Sequence, residues 1–171
     1  EYRRKFIGSL QTYKKSHNTR MRGYTETIGI ILSVYPSREK DRRILILTET
    51  HGKIAATARG ARNLSSSFVG NLQPLNICRL LLYKSGNENW TIVQCTMEKS
   101  FEKIKKELES SAYAIEMIES TKFLEETGEK HDIFELFREA LQKLETSNKK
   151  NMVLQSFKIK FLDLMGLLPE M

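Results

Sequence analysis

Near Ser100 the apolar residues stop alternating and begin to recur at helical spacing. Alternation puts successive side chains on opposite faces of a strand, whereas recurrence roughly every three to four residues draws one apolar stripe along a helix. A chain with one long stretch of each kind folds as an antiparallel sheet followed by helices. That is an α+β arrangement rather than a succession of strand–helix units.

The strand-like part runs from Glu26 to Glu98. TETIGIILSVYP alternates and ends at Pro36, RRILILTET is a compact Ile and Leu run, and His51–Gly52 predicts a two-residue hairpin turn, because glycine favours positive φ and histidine tolerates it. In HGKIAATARGARN, alternation puts Ile54, Ala56, Ala58 and Gly60 on one face and Lys53, Ala55, Thr57, Arg59 and Ala61 on the other. The first face is small enough for the tight interior of a barrel, and the second is cationic at both ends. LSSSFVGNLQP then reads as a polar insertion that holds a short helix, and QPLNICRLLLYK pairs with WTIVQCTMEK through the turn SGNEN. Five strands with a longer break between the third and the fourth outline an OB barrel.

In the helical part Ile104 and Leu108 open the pattern, Ala114, Met117, Ile118 and Thr121 continue it, and Gly128 stops it. Asp132 with Glu135 resembles a capping box, followed by a stripe of Ile133, Phe134, Phe137, Ala140, Leu141 and Leu144. Val153, Phe157, Phe161, Leu164 and Leu168 make the last stripe, closed by Gly166 and Pro169. The expected organisation is a tail or extension over residues 1–20 ahead of Met21, an OB domain over 21–98, and three or four helices packed on the barrel over 99–171.

Charge is divided as sharply as periodicity. Residues 1–98 hold 16 Lys and Arg against 7 Asp and Glu, a net of +9, while residues 99–171 hold 12 against 14, a net of −2. A domain charged in this way has nucleic acid as its simplest partner; an anionic membrane fits less well, because the basic half contains no basic amphipathic helix. No apolar run is long enough to span a bilayer. Cys78 and Cys95 lie inside strand-like runs without a CxxC pair, which reads as buried thiols of a reduced, intracellular protein and as no metal site. His17, His51 and His131 assemble no nucleophile–base pair, and no glycine-rich phosphate loop is present, so the expectation is a non-catalytic protein with no cofactor.

Three blocks carry a resemblance: DRRILILTETHGKIAATARGARN, SSSFVGNLQPLNICRLLLYKSGNENWTIVQCTMEKSF, and the closing FKIKFLDLMGLLPEM. In this order they resemble the RecO family of bacterial recombination mediators, over Thr27 to Met171. The resemblance implies an OB domain followed by a helical domain, and binding of single- and double-stranded DNA with annealing of complementary strands. It also implies cooperation with RecR and with single-stranded-DNA-binding protein to load RecA, in the bacterial cytoplasm at the nucleoid. Many members carry a four-cysteine zinc module beyond the position of Met171, and these 171 residues contain no counterpart of it.

On this reading the DNA-binding residues are Arg38, Arg42 and Arg43 around the first turn, Lys53, Arg59 and Arg62 on the third strand and its corner, and Arg79 and Lys84 on the fourth strand. Lys40 ranks lower because Glu39 and Asp41 flank it. Tyr35, Phe68 and Trp90, with Tyr83 beside them, are candidate base-stacking platforms, although each position also suits a core. The alternative is a protein-interaction adaptor whose barrel or helical domain docks repair partners, with DNA binding incidental; Lys122, Arg138, Lys158 and Lys160 of the helical domain would then rim a site for a partner's acidic tail.

Overall fold

The computed structural model describes residues 23–63, 66–86, 89–124 and 131–167. Strands β1 (Tyr24–Ser37), β2 (Asp41–Thr48), β3 (Gly52–Ala58), β4 (Ile77–Lys84) and β5 (Trp90–Lys99) close into a barrel in the order β1-β2-β3-β5-β4. All pairings are antiparallel except β3 with β5, which run parallel and form a ladder of two residue pairs among the described residues, Ala56–Trp90 and Thr57–Thr91. This is the OB barrel that the strand count outlined.

The barrel interior is filled by Ile31, Ile44, Ile46, Ile54, Ala56, Ala58, Leu80, Leu82 and Ile92. The alanines of β3 and Gly29 of β1 make room for these branched side chains. A Cβ on Gly29 would lie 2.6 Å from Ile46 Cγ2 and 2.9 Å from Leu80 Cδ1.

Two strands are apolar on their outer face as well. Ile30 and Leu32 of β1 and Leu47 of β2 belong to a second core that contains the helices. Leu32 follows Ile30 onto this face by alternation, and a bulge between Ile31 and Ser33 leaves it without a partner on β2. The helices are α1 (Glu102–Lys106), α2 (Leu108–Ser120), α3 (His131–Thr146) and α4 (Lys150–Leu164), with a 3-10 turn at Thr121–Phe123. Phe101, Ile104, Met117, Phe134, Phe137 and Phe157 pack there with Leu75 and Ile77 from the barrel. Phe137 meets Phe157 edge-on at 5.4 Å. Lys99 at the end of β5 adds an ion pair to Glu145 of α3 at 3.0 Å. No helix among the described residues is long and apolar enough to cross a membrane.

Several local expectations are corrected. The β2–β3 turn is Glu49–Thr50–His51; Gly52, with φ +64°, already pairs with Thr48, and His51 keeps an ordinary φ. Buried Thr48 fixes this turn, accepting from His51 N–H at 2.9 Å and donating to Gly52 O at 2.8 Å. The insertion after β3 forms successive turns rather than a helix among its described residues, with Phe68, Leu72 and Leu75 tucked inward. Leu108 is 88% exposed, because extended Glu107 separates α1 from α2 and resets the helix phase, so that Ser110, Ala114 and Met117 face inward. On α4 the inward positions are Leu154, Phe157 and Phe161, with Met165 packed against the core; Leu164 points outward. Gly128 and Leu168 lie outside the described residues.

Candidate nucleic-acid interface

The first turn and the corner after β3 are joined by one side-chain and one backbone hydrogen bond, and a third closes the corner itself. Asp41 Oδ1 accepts from Gly60 N–H at 2.9 Å, Arg62 N–H donates to Lys40 O at 3.0 Å, and Asn63 N–H donates to Gly60 O at 3.0 Å. Gly60 turns the chain at φ +66°, in the left-handed region that glycine enters without cost. Arg38, at φ +45°, is a non-glycine residue in that region at the tip of the first turn.

This stitching gathers six cations at one end of the barrel. Arg38, Lys40, Arg43, Arg59 and Arg62 are exposed and Arg42 is half-buried. Asp41, the acid expected to neutralise part of the group, is occupied by the Gly60 amide, and among the described residues none of the six has an ion-pair partner. Arg62 makes one long side-chain bond, from Nη1 to Arg38 O at 3.5 Å. Unpaired guanidinium groups held on a fixed backbone present a concentrated positive field to a polyanion.

Tyr35 belongs to the same surface. It pairs across the sheet with Arg43, which pairs in turn with Thr57, and its ring is 51% exposed. Lys122 of the 3-10 turn lies within electrostatic reach of the Tyr35 phenol. Its ammonium is held above the usual lysine range, first by Glu119 and least by that phenol.

Other expected contacts are drawn elsewhere. Lys53 sits at the far end of β3 and donates to Thr121 O at 3.0 Å, tying the barrel to the 3-10 turn. Arg79 and Lys84 lie on β4, which β5 separates from β3; Arg79 pairs with Glu98, and Lys84 rests 5.3 Å from the ring centre of Trp90. Trp90 also meets His51 edge-on at 4.9 Å, and Tyr83 packs against Tyr24 at 4.9 Å. Phe68 is only 9% exposed and stands on no open strand surface. Instead it lines a cavity of about 230 Å³ beside Arg42, Arg62 and Asn63.

Three of the four cations expected to bind an acidic tail are held by glutamates. Lys122 pairs with Glu119, Arg138 with Glu135 and Lys158 with Glu116, while Lys160 lines a shallow groove between α3 and α4. Ligating atoms of Glu49, His131 and Glu135 lie within 4.8 Å of one another, but Glu135 is already held by Arg138 at 2.5 Å. Cys78 and Cys95 are both buried, and Cys95 is pushed far above the usual thiol range, first by its hydrogen bond with Cys78 and then by burial. A thiol held protonated in this way, as Cys95 is, is a poor nucleophile.

Sequence reasoning missed Asn63 and Gln73, which line the cavity, and Asn76, which supports it. Asn76 carried a usable signal, since a polar residue between Leu75 and Ile77 in an apolar run must find partners if buried.

The sequence matches the family profile described as "Recombination protein O N terminal" over residues 21–101 and that described as "Recombination protein O C terminal" over residues 105–171. It is 30% identical over 148 residues to the DNA repair protein RecO of Acetivibrio thermocellus, covering 85% of this chain and 59% of that protein. It is also 30% identical to the RecO of Moorella thermoacetica over 155 residues (88% and 56%) and to that of Bacillus subtilis over 148 residues (86% and 58%). The chain thus spans somewhat more than half the length of these relatives. An OB barrel followed by helices, with both halves matched in order, makes this chain a member of the RecO family of DNA repair proteins.

Proposed function

We propose that the chain is a non-catalytic recombination mediator that binds single- and double-stranded DNA at the Arg38–Arg43 turn and the Arg59–Arg62 corner and anneals complementary strands. RecR, single-stranded-DNA-binding protein and, through them, RecA are its partners in loading the recombinase, and a bacterial nucleoid is its place of work. The observation that carries this reading is the group of six cations without acidic partners among the described residues. Phosphate contacts position a strand without reading its sequence, which suits a protein acting anywhere on a chromosome.

The test is annealing of complementary labelled oligonucleotides by purified protein without nucleotide. Acceleration by the wild type, lost on joint replacement of Arg59 and Arg62 by alanine, is the expected result. A second reading, an adaptor whose helices dock a repair partner, draws on the exposed apolar side chains of Ile115, Met152 and Ile159. No gel shift of a labelled oligonucleotide at micromolar protein and low salt would favour that adaptor.

A further inference from the structure

The cavity at the corner has a mixed lining. It is bordered by Arg42 and Arg62, by buried Phe68 and Leu72, and by the exposed amides of Asn63 and Gln73. Gly70 adds bare backbone, since a Cβ there would meet nothing within 4 Å, and Val69 is 56% exposed.

The wall is braced from behind. Asn76 is fully buried, and its Nδ2 donates to Gly70 O at 3.2 Å and to Asn71 O at 2.9 Å. Asn71 Nδ2 in turn donates to Ser67 O at 3.1 Å and to Cys95 O at 3.3 Å. The loop from Ser67 to Asn71 is thus held in one shape before any ligand arrives, which lowers the ordering cost of binding.

We propose that this cavity receives one unstacked base of a bound single strand, while Arg42 and Arg62 hold the adjoining phosphates. The inference rests on the DNA-binding reading above and adds a discrimination to it. Apolar side chains suit the π-face of a base, amides suit its donor and acceptor edge, and guanidinium groups suit phosphate. Acidic side chains alone would use the arginines but not the apolar lining. The volume holds one base rather than a length of strand. Bases of a duplex are stacked and paired and enter only by extrusion, so the cavity favours single strands.

The experiment is fluorescence anisotropy on the 171-residue chain at one low salt concentration with three labelled ligands: oligothymidylate, a strand of equal length with abasic sugars throughout, and a duplex. The wild type is expected to bind oligothymidylate roughly ten-fold more tightly than the abasic strand. Val69→Trp, which fills the cavity, and Gln73→Ala, which removes an amide, are each expected to shrink that ratio to about two-fold or less while leaving duplex and abasic binding unchanged. Melting curves accompany both variants; if the tryptophan variant does not fold, Gln73→Ala decides alone. Equal wild-type affinity for the two single strands would overturn the base site and leave the DNA-binding reading standing, as would an equal loss on all three ligands in the folded variants. Failure of the folded wild type to bind any of the three would remove the DNA-binding reading and the base site together.

Discussion

Lys105 reaches from α1 into the barrel, where its Nζ donates to Asn76 Oδ1 at 2.5 Å. Its ammonium also bonds Ser100 Oγ at 3.0 Å and pairs with Glu102 at 3.6 Å. With Oδ1 held by the lysine, the Asn76 amide is oriented so that Nδ2 faces the Gly70 and Asn71 carbonyls. A helical residue therefore sets the shape of a loop at the basic corner. Asn76→Ala leaves two carbonyls and part of an ammonium without their partner, and is expected to cost about 1–3 kcal/mol in urea unfolding. A loss well under 0.5 kcal/mol would show that water replaces the amide without penalty.

The corner is electrostatic, so affinity should follow salt. With about five cations touching a single strand, the slope of log K against log salt is expected near −3.5, and Arg59→Ala with Arg62→Ala should flatten it by about 1.4. Both side chains are exposed, and the only bond either side chain makes among the described residues is the 3.5 Å contact to Arg38 O. Stability should change by about 0.5 kcal/mol per site or less. Salt-titrated anisotropy with a parallel melting curve checks both statements, and an unchanged slope in a folded double variant would take the corner off the binding surface.

Gly29 tests the barrel interior. Its Cβ position is blocked by Ile46 and Leu80, both fully buried in the barrel core. Gly29→Ala is expected to destabilise the chain by roughly 1–3 kcal/mol through overpacking. Unchanged chemical denaturation would mean that the interior is looser than its packing indicates.

Glu107 sits at the break between α1 and α2, where its carboxylate meets Lys150 at the start of α4. The Lys150 hydrogen bond first, and the Ser110 hydroxyl second, hold its pKa below the usual glutamate value. A depressed folded pKa gives stabilisation that is present above the unfolded value and lost as pH falls through the folded one. Carboxyl-carbon NMR titration should show Glu107 protonating at lower pH in the wild type than in Lys150→Met. Coincident titrations would mean that the ion pair is absent in solution.

The second core predicts how the two parts depend on each other. Residues 21–98 alone would expose Ile30, Leu32, Leu47, Leu75 and Ile77, which the helices cover in the whole chain. That fragment is expected to bind a hydrophobic dye and to melt without a cooperative transition. A monomeric fragment with sharp two-state unfolding would establish the barrel as an independent unit.

Where the sequence was legible, one residue's place depended on its near neighbours. Period and small-residue spacing located all five strands and put Ile54, Ala56 and Ala58 inside. Glu107 defeated the helical pattern, because one extended residue rephased Leu108. At the site, Arg59 and Arg62 could be placed because the corner is local, with Gly60 making it. Lys53 could not, since its acceptor, the Thr121 carbonyl, lies 68 residues away. The burial of Phe68 is not legible either, because nothing in its polar surroundings announces that the insertion folds inward.

The seam between β3 and β5 has a consequence for how this barrel comes apart. Every other strand boundary is a ladder of seven or eight residue pairs, but here two pairs hold the circumference closed. Thermal fluctuation parts a cylinder along its weakest line, and of the four side chains paired across this one, Ala56, Thr57, Thr91 and Trp90, only the tryptophan is large. Native-state hydrogen exchange should therefore find its lowest-energy opening along this line, with Ala56 and Thr57 reporting a lateral unzipping that leaves the β1–β2 wall and the helices on it intact.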